Sequence, residues 1–328
     1  YDEGDVDMIL DFAEQKVFEL AEKNESREFV HIRDVITENI NKLDQLIKNE
    51  GKIDGISTGF KNLDAKLGGG LRNSELVIVA ARPGMGKTAF VLSMMREIAT
   101  KQDATALLFS LEMPNTQIGE RLLSAQTSVQ LNDIKVGKLK DREWNDLMLG
   151  NDVLSQTGIY LDDTPGITLT TIKNKCRRLK AKRGLDLVIV DYLQLMESVD
   201  KTENRVQELS KLTRGLKLMA RELECPVIVL SQLSRGVDAR TDHRPLLSDL
   251  RESGSIEQDA DIVMFLYREG YYEPESIEKQ NICDVMIAKN RNGDLGRVTM
   301  SWLGQYTRFG ELSGYDMLEG ETLEDPMS

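Results

Sequence analysis

Short apolar runs alternate with apolar stripes at helical spacing over most of this chain. Leu76–Val79, Ala104–Leu111, Ile159–Leu161, Leu187–Val190 and Val227–Leu230 read as buried strands, each giving way to small, polar or acidic residues. Helices are expected over Thr88–Thr100, Pro114–Thr127, Lys140–Ser155, Thr168–Arg183 and Asn204–Glu224, with Thr168 or Thr170 capping the fourth. The last carries Val206, Leu209, Leu212, Leu216, Met219 and Leu223 on one face. Beyond a polar loop, Asp261–Tyr267, Ile282–Lys289 and Arg297–Trp302 predict three more strands. The last two form a hairpin closing around Asn292-Gly293, read as an antiparallel edge. Strands alternating with helices predict the α/β class: a mainly parallel sheet with helices on both faces.

The two ends differ from this body. Residues 5–22 place Val6, Ile9, Leu10, Ala13, Val17, Leu20 and Ala21 on one helical stripe, and the polar stretch Lys23–Glu28 separates it from a second pattern, Ile32–Ile47. Such a stripe must be buried, and the sequence alone favours docking on its own domain. Gly51 to Gly59 reads as a loop, and Gly68-Gly69-Gly70 as a turn into the core. From Glu311 the tail holds six acidic residues and no basic one, a solvated, mobile end. The expected organisation is therefore 1–28 linker helix and connecting segment, 29–310 main domain and 311–328 tail. The chain starts with Tyr1 rather than Met and reads as a fragment of a longer protein.

Composition narrows the class. The 328 residues are 40% hydrophobic and 30% charged, as in a soluble globular protein. No apolar run approaches the roughly 20 residues that span a bilayer, so no membrane contact is expected. Cys176, Cys225 and Cys283 share no metal-like spacing and suit buried thiols in a reducing cytoplasm. The net charge of −13 excludes a protein that coats nucleic acid all over, but not a locally basic channel.

The chemistry is concentrated where the first buried strand breaks. Arg82, Pro83, Gly84, Met85, Gly86, Lys87, Thr88 and Ala89 form a strand–loop–helix junction of phosphate-binding type. Backbone amides would face phosphate oxygens, Lys87 would neutralise the β- and γ-phosphates, and Thr88 would take a Mg²⁺ position. Ala81 replaces the usual first glycine, which is tolerable if its φ is ordinary. Asp191 closes an apolar strand and should hold Mg²⁺ through water; a helix-capping Asp is the plainer alternative. Because Tyr192 follows it, the catalytic base must come from another strand. Glu112 is the candidate, against a role as a first-turn acid of the next helix. Gln232, at a third strand end, can contact the γ-phosphate without a proton change. Lys289 and Arg291 lie at a hairpin tip expected to point away from its own sheet, where Arg291 could act as an arginine finger in a neighbour.

For nucleic acid, Ser231–Asp259 is a basic, glycine-containing segment, and Arg251, Glu252 and Gly254 are its favoured contacts with a phosphate backbone. Few aromatics are present for base stacking. Lys173 to Arg183 has seven Lys or Arg in eleven residues, which reads as a solvated helix face or an anion-contacting surface.

Ala-Arg-Pro-Gly-Met-Gly-Lys-Thr (81–88), Phe-Ser-Leu-Glu-Met (109–113), Val-Asp-Tyr-Leu-Gln-Leu-Met (190–196), Leu-Ser-Gln-Leu-Ser-Arg (230–235), the run 249–261 and Ala-Lys-Asn-Arg-Asn-Gly (288–293) together resemble the DnaB-type bacterial replicative DNA helicases. The resemblance implies a RecA-like ATPase domain, a homo-hexameric ring or spiral around single-stranded DNA, 5′→3′ travel, a helicase loader and a cytoplasmic location. It implies that Lys87, Thr88 and Asp191 bind ATP and Mg²⁺, that Glu112 is the base, and that Gln232 couples nucleotide to DNA. Lys289 and Arg291 would act on the neighbour's ATP, and Arg251, Glu252 and Gly254 would contact DNA. Residues 5–22 match a linker helix that docks on the adjacent subunit, reversing the weighting given above. No stretch matches the family's N-terminal collar, which binds primase, so primase contact is in question for this chain. A filament-forming RecA-like recombination ATPase and a nucleotide-gated scaffold are the other readings; unwinding of a forked duplex and DNA-stimulated turnover separate them.

Overall fold

A computed structural model describes residues 30–48, 55–196 and 205–312, and the chain divides into two units, residues 1–52 and 53–328. The helical stripe at residues 5–22 and the tail from residue 313 lie outside the described residues. Helix α1 (Ile32–Lys48) belongs to the first unit, whereas its sequence pattern groups it with the main domain. Its apolar positions Ile36, Ile40 and Leu43 are exposed.

In the second unit a two-residue antiparallel pair, β1 (Gly55–Ile56) and β2 (Leu71–Arg72), flanks α2 (Lys61–Lys66). The nine-stranded sheet follows, made of β3 (Leu76–Ala81), β4 (Thr105–Ser110), β5 (Gly158–Asp162), β6 (Leu187–Asp191), β7 (Val227–Gln232), β8 (Ile262–Tyr267), β9 (Ile282–Asn290), β10 (Gly296–Leu303) and β11 (Arg308–Glu311). Its order is β11-β10-β9-β8-β3-β7-β6-β4-β5, parallel from β8 to β5 and antiparallel from β8 to β11. Between the strands run α3 (Lys87–Lys101), α4 (Asn115–Thr127), α5 (Leu131–Val136), α6 (Asp141–Ser155), α7 (Leu169–Arg183), α8 (Arg205–Leu223), α9 (Gly254–Asp259), α10 (Glu269–Tyr272) and α11 (Ile277–Gln280).

The period-two geometry of a strand explains why these apolar runs are continuous. In β3, Val77, Val79 and Ala81 enter one core with Phe90 and Met94 of α3. Leu76, Ile78 and Ala80 enter the opposite core with Ile172 of α7 and Leu216 of α8. Both faces are covered, so no residue of β3 is exposed. The stripe on α8 is buried from Leu209 to Leu223, while its expected first member, Val206, is exposed. Thr168 is the cap of α7: its hydroxyl accepts a hydrogen bond from the Thr171 amide. Cys176, Cys225 and Cys283 are buried and unpaired, and burial pushes each thiol up to about 12.

Three expectations need correcting. The predicted hairpin, β9–β10, does not form the sheet edge, because β11 pairs outside β10. Strand β11 forms because Phe309 is driven into the core, 5.4 Å from Phe90 in an edge-on contact, while its backbone amide donates to Ser93 Oγ at 3.0 Å. The tail therefore begins later than Glu311, whose carboxylate accepts the Asn62 amide at 3.0 Å. The basic run on α7 is also not a uniformly solvated face: Lys175 pairs with Asp162 and Arg177 with Glu222. Phe309 fastens the edge of the sheet to the helix that follows the phosphate loop. Phe309→Ala is expected to lower stability by about 3–5 kcal/mol, read as a lower urea midpoint at unchanged slope.

Candidate functional site

The parallel strands deliver their carboxyl ends to one edge of the sheet, and the phosphate loop, Glu112, Asp191 and Gln232 gather there. Strand β3 ends at Ala81, which keeps an ordinary backbone conformation, so the missing glycine costs nothing. Gly84 and Gly86 then adopt φ of 80° and 97°. A side chain at Gly84 would meet the Tyr271 ring at 2.9 Å. The N-cap of α3 is Gly86, with no side-chain cap and no acidic residue in the first turn. Its first amides and the positive end of its dipole are left for an anion.

Lys87 Nζ folds back to donate to the Ala81 carbonyl at 3.2 Å. Thr88 Oγ1 donates to Asp191 Oδ2 at 2.7 Å, which joins the helix start to the end of β6. Asp191 is fully buried, and burial holds its carboxyl above the ordinary value; Thr88, Lys87 and Arg121 pull it down, while Glu112 pushes it up. Among the described residues no cluster of three or more His, Cys, Asp or Glu could hold a metal by itself. A hydroxyl and one carboxylate beside an anion-binding helix start do suit Mg²⁺, which takes few protein ligands and keeps phosphate and water.

Glu112 follows β4 as an exposed side chain within electrostatic reach of Lys87, Asp191 and Tyr192. Helix α4 starts only at Asn115 and has no acid in its first turn, so Glu112 is not a dipole-stabilising residue. Gln232 closes β7 opposite Ala81 with its side chain exposed, one residue before the segment that leads to Arg251. Sequence reading missed Arg121. One turn and a half into α4, it is within reach of Asp191 and Glu112, burial lowers its affinity for its proton, and its Nε finds no hydrogen bond among the described residues. Its only sequence signal was a lone Arg in an amphipathic helix. Also missed was a cavity of about 510 Å³ beside the loop, lined by Arg268, Tyr271, Trp302 and Gln305. Arg268 donates to the Gly84 carbonyl at 3.2 Å and lies over the Trp302 ring.

Lys289 and Arg291 are at the other end of the sheet. Lys289 Nζ donates to the Glu257 carbonyl at 2.5 Å, and Arg291 Nη2 to the Gln258 carbonyl at 2.9 Å, both at the end of α9. The Arg291 amide donates to Asp261, whose own amide bonds to Leu76 at the start of β3. The six residues of β3, roughly 20 Å, separate Arg291 from the phosphate loop of its own chain. The tip does not project freely: Asn290 Nδ2 donates to the Lys66 carbonyl at 3.3 Å and Asn292 Nδ2 to Glu75 at 2.7 Å. Arg251, Glu252 and Gly254 fall on a 3₁₀ turn, Leu247–Ser253, and the start of α9.

Residues 55–311 match the family described as DnaB-like helicase C-terminal domain. Over 311 residues the chain is 45% identical to a replicative DNA helicase DnaB of Geobacillus stearothermophilus, covering 94% of this chain and 68% of that protein. It is equally similar, 45% over the same coverage, to the replicative DNA helicase DnaC of Bacillus subtilis (strain 168). The fold matches a solved structure of an ATPase domain with a TM-score of 0.82 at 38% identity, covering 87% of this chain and all of that one. It matches a DnaB-like replicative helicase, described with its interactions with primase, at 0.79 and 37% identity, covering 92% of this chain and 72% of that one.

Burial lowers the Lys87 ammonium from its ordinary value despite Asp191 and Glu112. A lysine depressed in the folded state costs stability wherever it is charged, at neutral pH included. Lys87→Met should therefore raise the thermal midpoint measured without nucleotide by about 1–3 °C and abolish the further rise caused by Mg-ATP. Scanning fluorimetry reads both.

Proposed function

The chain belongs to the DnaB-like helicase family, whose matched members are ATP-hydrolysing replicative DNA helicases, and on that premise we propose that each ATP is shared between two copies of this chain. One copy grips it. The helix start and Lys87 take the phosphates, Thr88 and Asp191 hold Mg²⁺, partly through water, and Glu112 activates the attacking water. Mg²⁺ supplies charge neutralisation between the phosphates. Gln232 contacts the γ-phosphate and relays its loss. Arg121 turns Glu112 toward the site, and the Tyr271–Trp302 cavity accepts the nucleobase.

The next copy completes the pocket with Lys289 and Arg291. One observation supports this: Arg291 is a strand's length from its own phosphate loop, on the far end of the sheet. A site built from opposite ends of two copies is a head-to-tail contact, which generates a ring or a spiral rather than a two-fold dimer. Six copies around single-stranded DNA is the arrangement the family resemblance favours, with Arg251, Glu252 and Gly254 on the backbone, 5′→3′ travel and a loader to place the ring. Primase contact, if this protein makes it, belongs to sequence outside the matched ATPase domain. The cytoplasm is the proposed location; among the described residues no helix is long and apolar enough to cross a membrane. The recombination-filament reading is not favoured, since the relatives are replicative helicases.

Arg291→Ala and Lys87→Ala should each reduce DNA-stimulated hydrolysis by about 10³-fold or more, as loss of an arginine finger does. Mixing the two variants should restore part of the activity, because an Arg291→Ala subunit keeps a whole phosphate loop beside a neighbour that still carries Arg291. Mixtures no more active than the separate variants would overturn the shared site.

A further inference from the structure

Arg82, in the phosphate loop, has its guanidinium committed elsewhere. Its Nε and Nη2 donate to the two carboxylate oxygens of Asp238 at 3.1 and 2.6 Å, and Nη1 donates to the Leu233 carbonyl at 2.9 Å. Asp238 sits on a 3₁₀ turn, Arg235–Ala239, between Gln232 and the segment proposed to contact DNA. A second fork of the same kind continues the path. Arg240 grips the buried carboxylate of Asp249, Nη1 at 2.9 Å, and the Asp249 carbonyl accepts the Ser234 amide at 3.2 Å. Asp249 stands two residues before Arg251. The aromatic flank tightens the first fork: Tyr272 donates its hydroxyl to Asp238 at 3.3 Å, and His243 stacks on Tyr272 with ring centres 4.2 Å apart.

A bidentate Arg–carboxylate pair fixes orientation as well as distance, which a Lys or a lone charge cannot do. Asp238 is half-exposed and Arg82 is not, so the fork adds little to stability but defines geometry. Asp238 and both members of the second fork lie in one segment, residues 233–249. Where phosphate oxygens enter the loop they are a rival anion for Arg82, and any change in that guanidinium is felt at Asp238.

We propose that Asp238 is a positioning residue: the Arg82–Asp238 fork transmits the occupancy of the phosphate loop to the DNA-contacting segment, with the Arg240–Asp249 fork as its second joint. This route is separate from Gln232, and it rests on the helicase reading above. A ligand can shift such an element only through differential interaction with its two arrangements, and competition for Arg82 supplies that difference.

The test uses the full chain and compares wild type, Asp238→Asn and Asp238→Glu. Three quantities are measured: hydrolysis without DNA, its increase on adding a single-stranded oligonucleotide, and affinity for a fluorescent ATP analogue. Asp238→Asn keeps one acceptor but loses the charge of the fork. It should leave basal hydrolysis within about twofold of wild type, strengthen binding of the analogue because Arg82 loses its rival carboxylate, and cut the DNA-dependent increase by about tenfold, an ordinary size for coupling between sites. Asp238→Glu should recover most of that increase. The link is overturned if Asp238→Asn is stimulated as strongly as wild type, if basal hydrolysis falls in proportion, or if Asp238→Glu restores nothing. A wild type that DNA does not stimulate at all would instead remove the helicase reading, and this link with it.

Discussion

Helix α3 begins with no side chain to cap it, directly after a strand that has no exposed residue. A protein that buries unsatisfied amides loses roughly 1–3 kcal/mol for each, so this helix start must stay open to water or to an anion. The arrangement is stable because the strand before it is covered on both faces and Phe309 of β11 packs edge-on against Phe90 of the helix. Once that junction is fixed, the rest of the site has little freedom. Parallel pairing places Gln232 beside Ala81 and Asp191 beside Ser110, each at the end of its strand. The Thr88 hydroxyl ties the start of α3 to Asp191 at the end of β6.

Most of this was legible in the sequence, and for a local reason. Buried parallel strands are apolar runs bounded by polar residues, and the phosphate loop is a contiguous motif. What escaped was non-local. Phe309 follows no helical or strand period in the sequence, and only its packing on Phe90 and Trp302 in the fold explains its burial. Arg121 acquires meaning only when the fold brings it within electrostatic reach of Asp191 and Glu112. The cavity at Tyr271 is assembled from three segments, none of which has a pattern of its own. The hairpin was legible as a hairpin, but its asparagines read as solvated turn residues; in the fold they are tied to Lys66 and Glu75. Turn composition reports backbone conformation and says nothing about what the tip will meet.

The fold also separates two groups of charge that the sequence could only set side by side. At the phosphate end stand Lys87 and Arg121 against Asp191 and Glu112, two cations facing two carboxylates. Arg82 is occupied by Asp238. Before a ligand enters, these charges nearly cancel. A triphosphate adds several negative charges, one divalent cation removes only part of them, and the transition state demands still more positive charge. On the proposed reading, the neighbouring copy supplies the further positive charge that the transition state needs.

The missing positive charge exists in the molecule, at the far end of the same sheet. There Lys289 and Arg291 rest on the carbonyl end of α9, where the helix dipole steadies them, and Arg291 also approaches Asp261 at 3.6 Å. Carbonyl oxygens and a shared carboxylate hold such groups loosely compared with a phosphate, so they can be given up when a stronger anion is presented. Neither group can travel a strand's length to its own loop. In the proposed shared site, Lys289 and Arg291 meet a phosphate loop only between copies stacked head to tail. On the proposed reading, hydrolysis depends on assembly because Lys289 and Arg291 lie at the opposite edge of the sheet from the phosphate loop of their own chain.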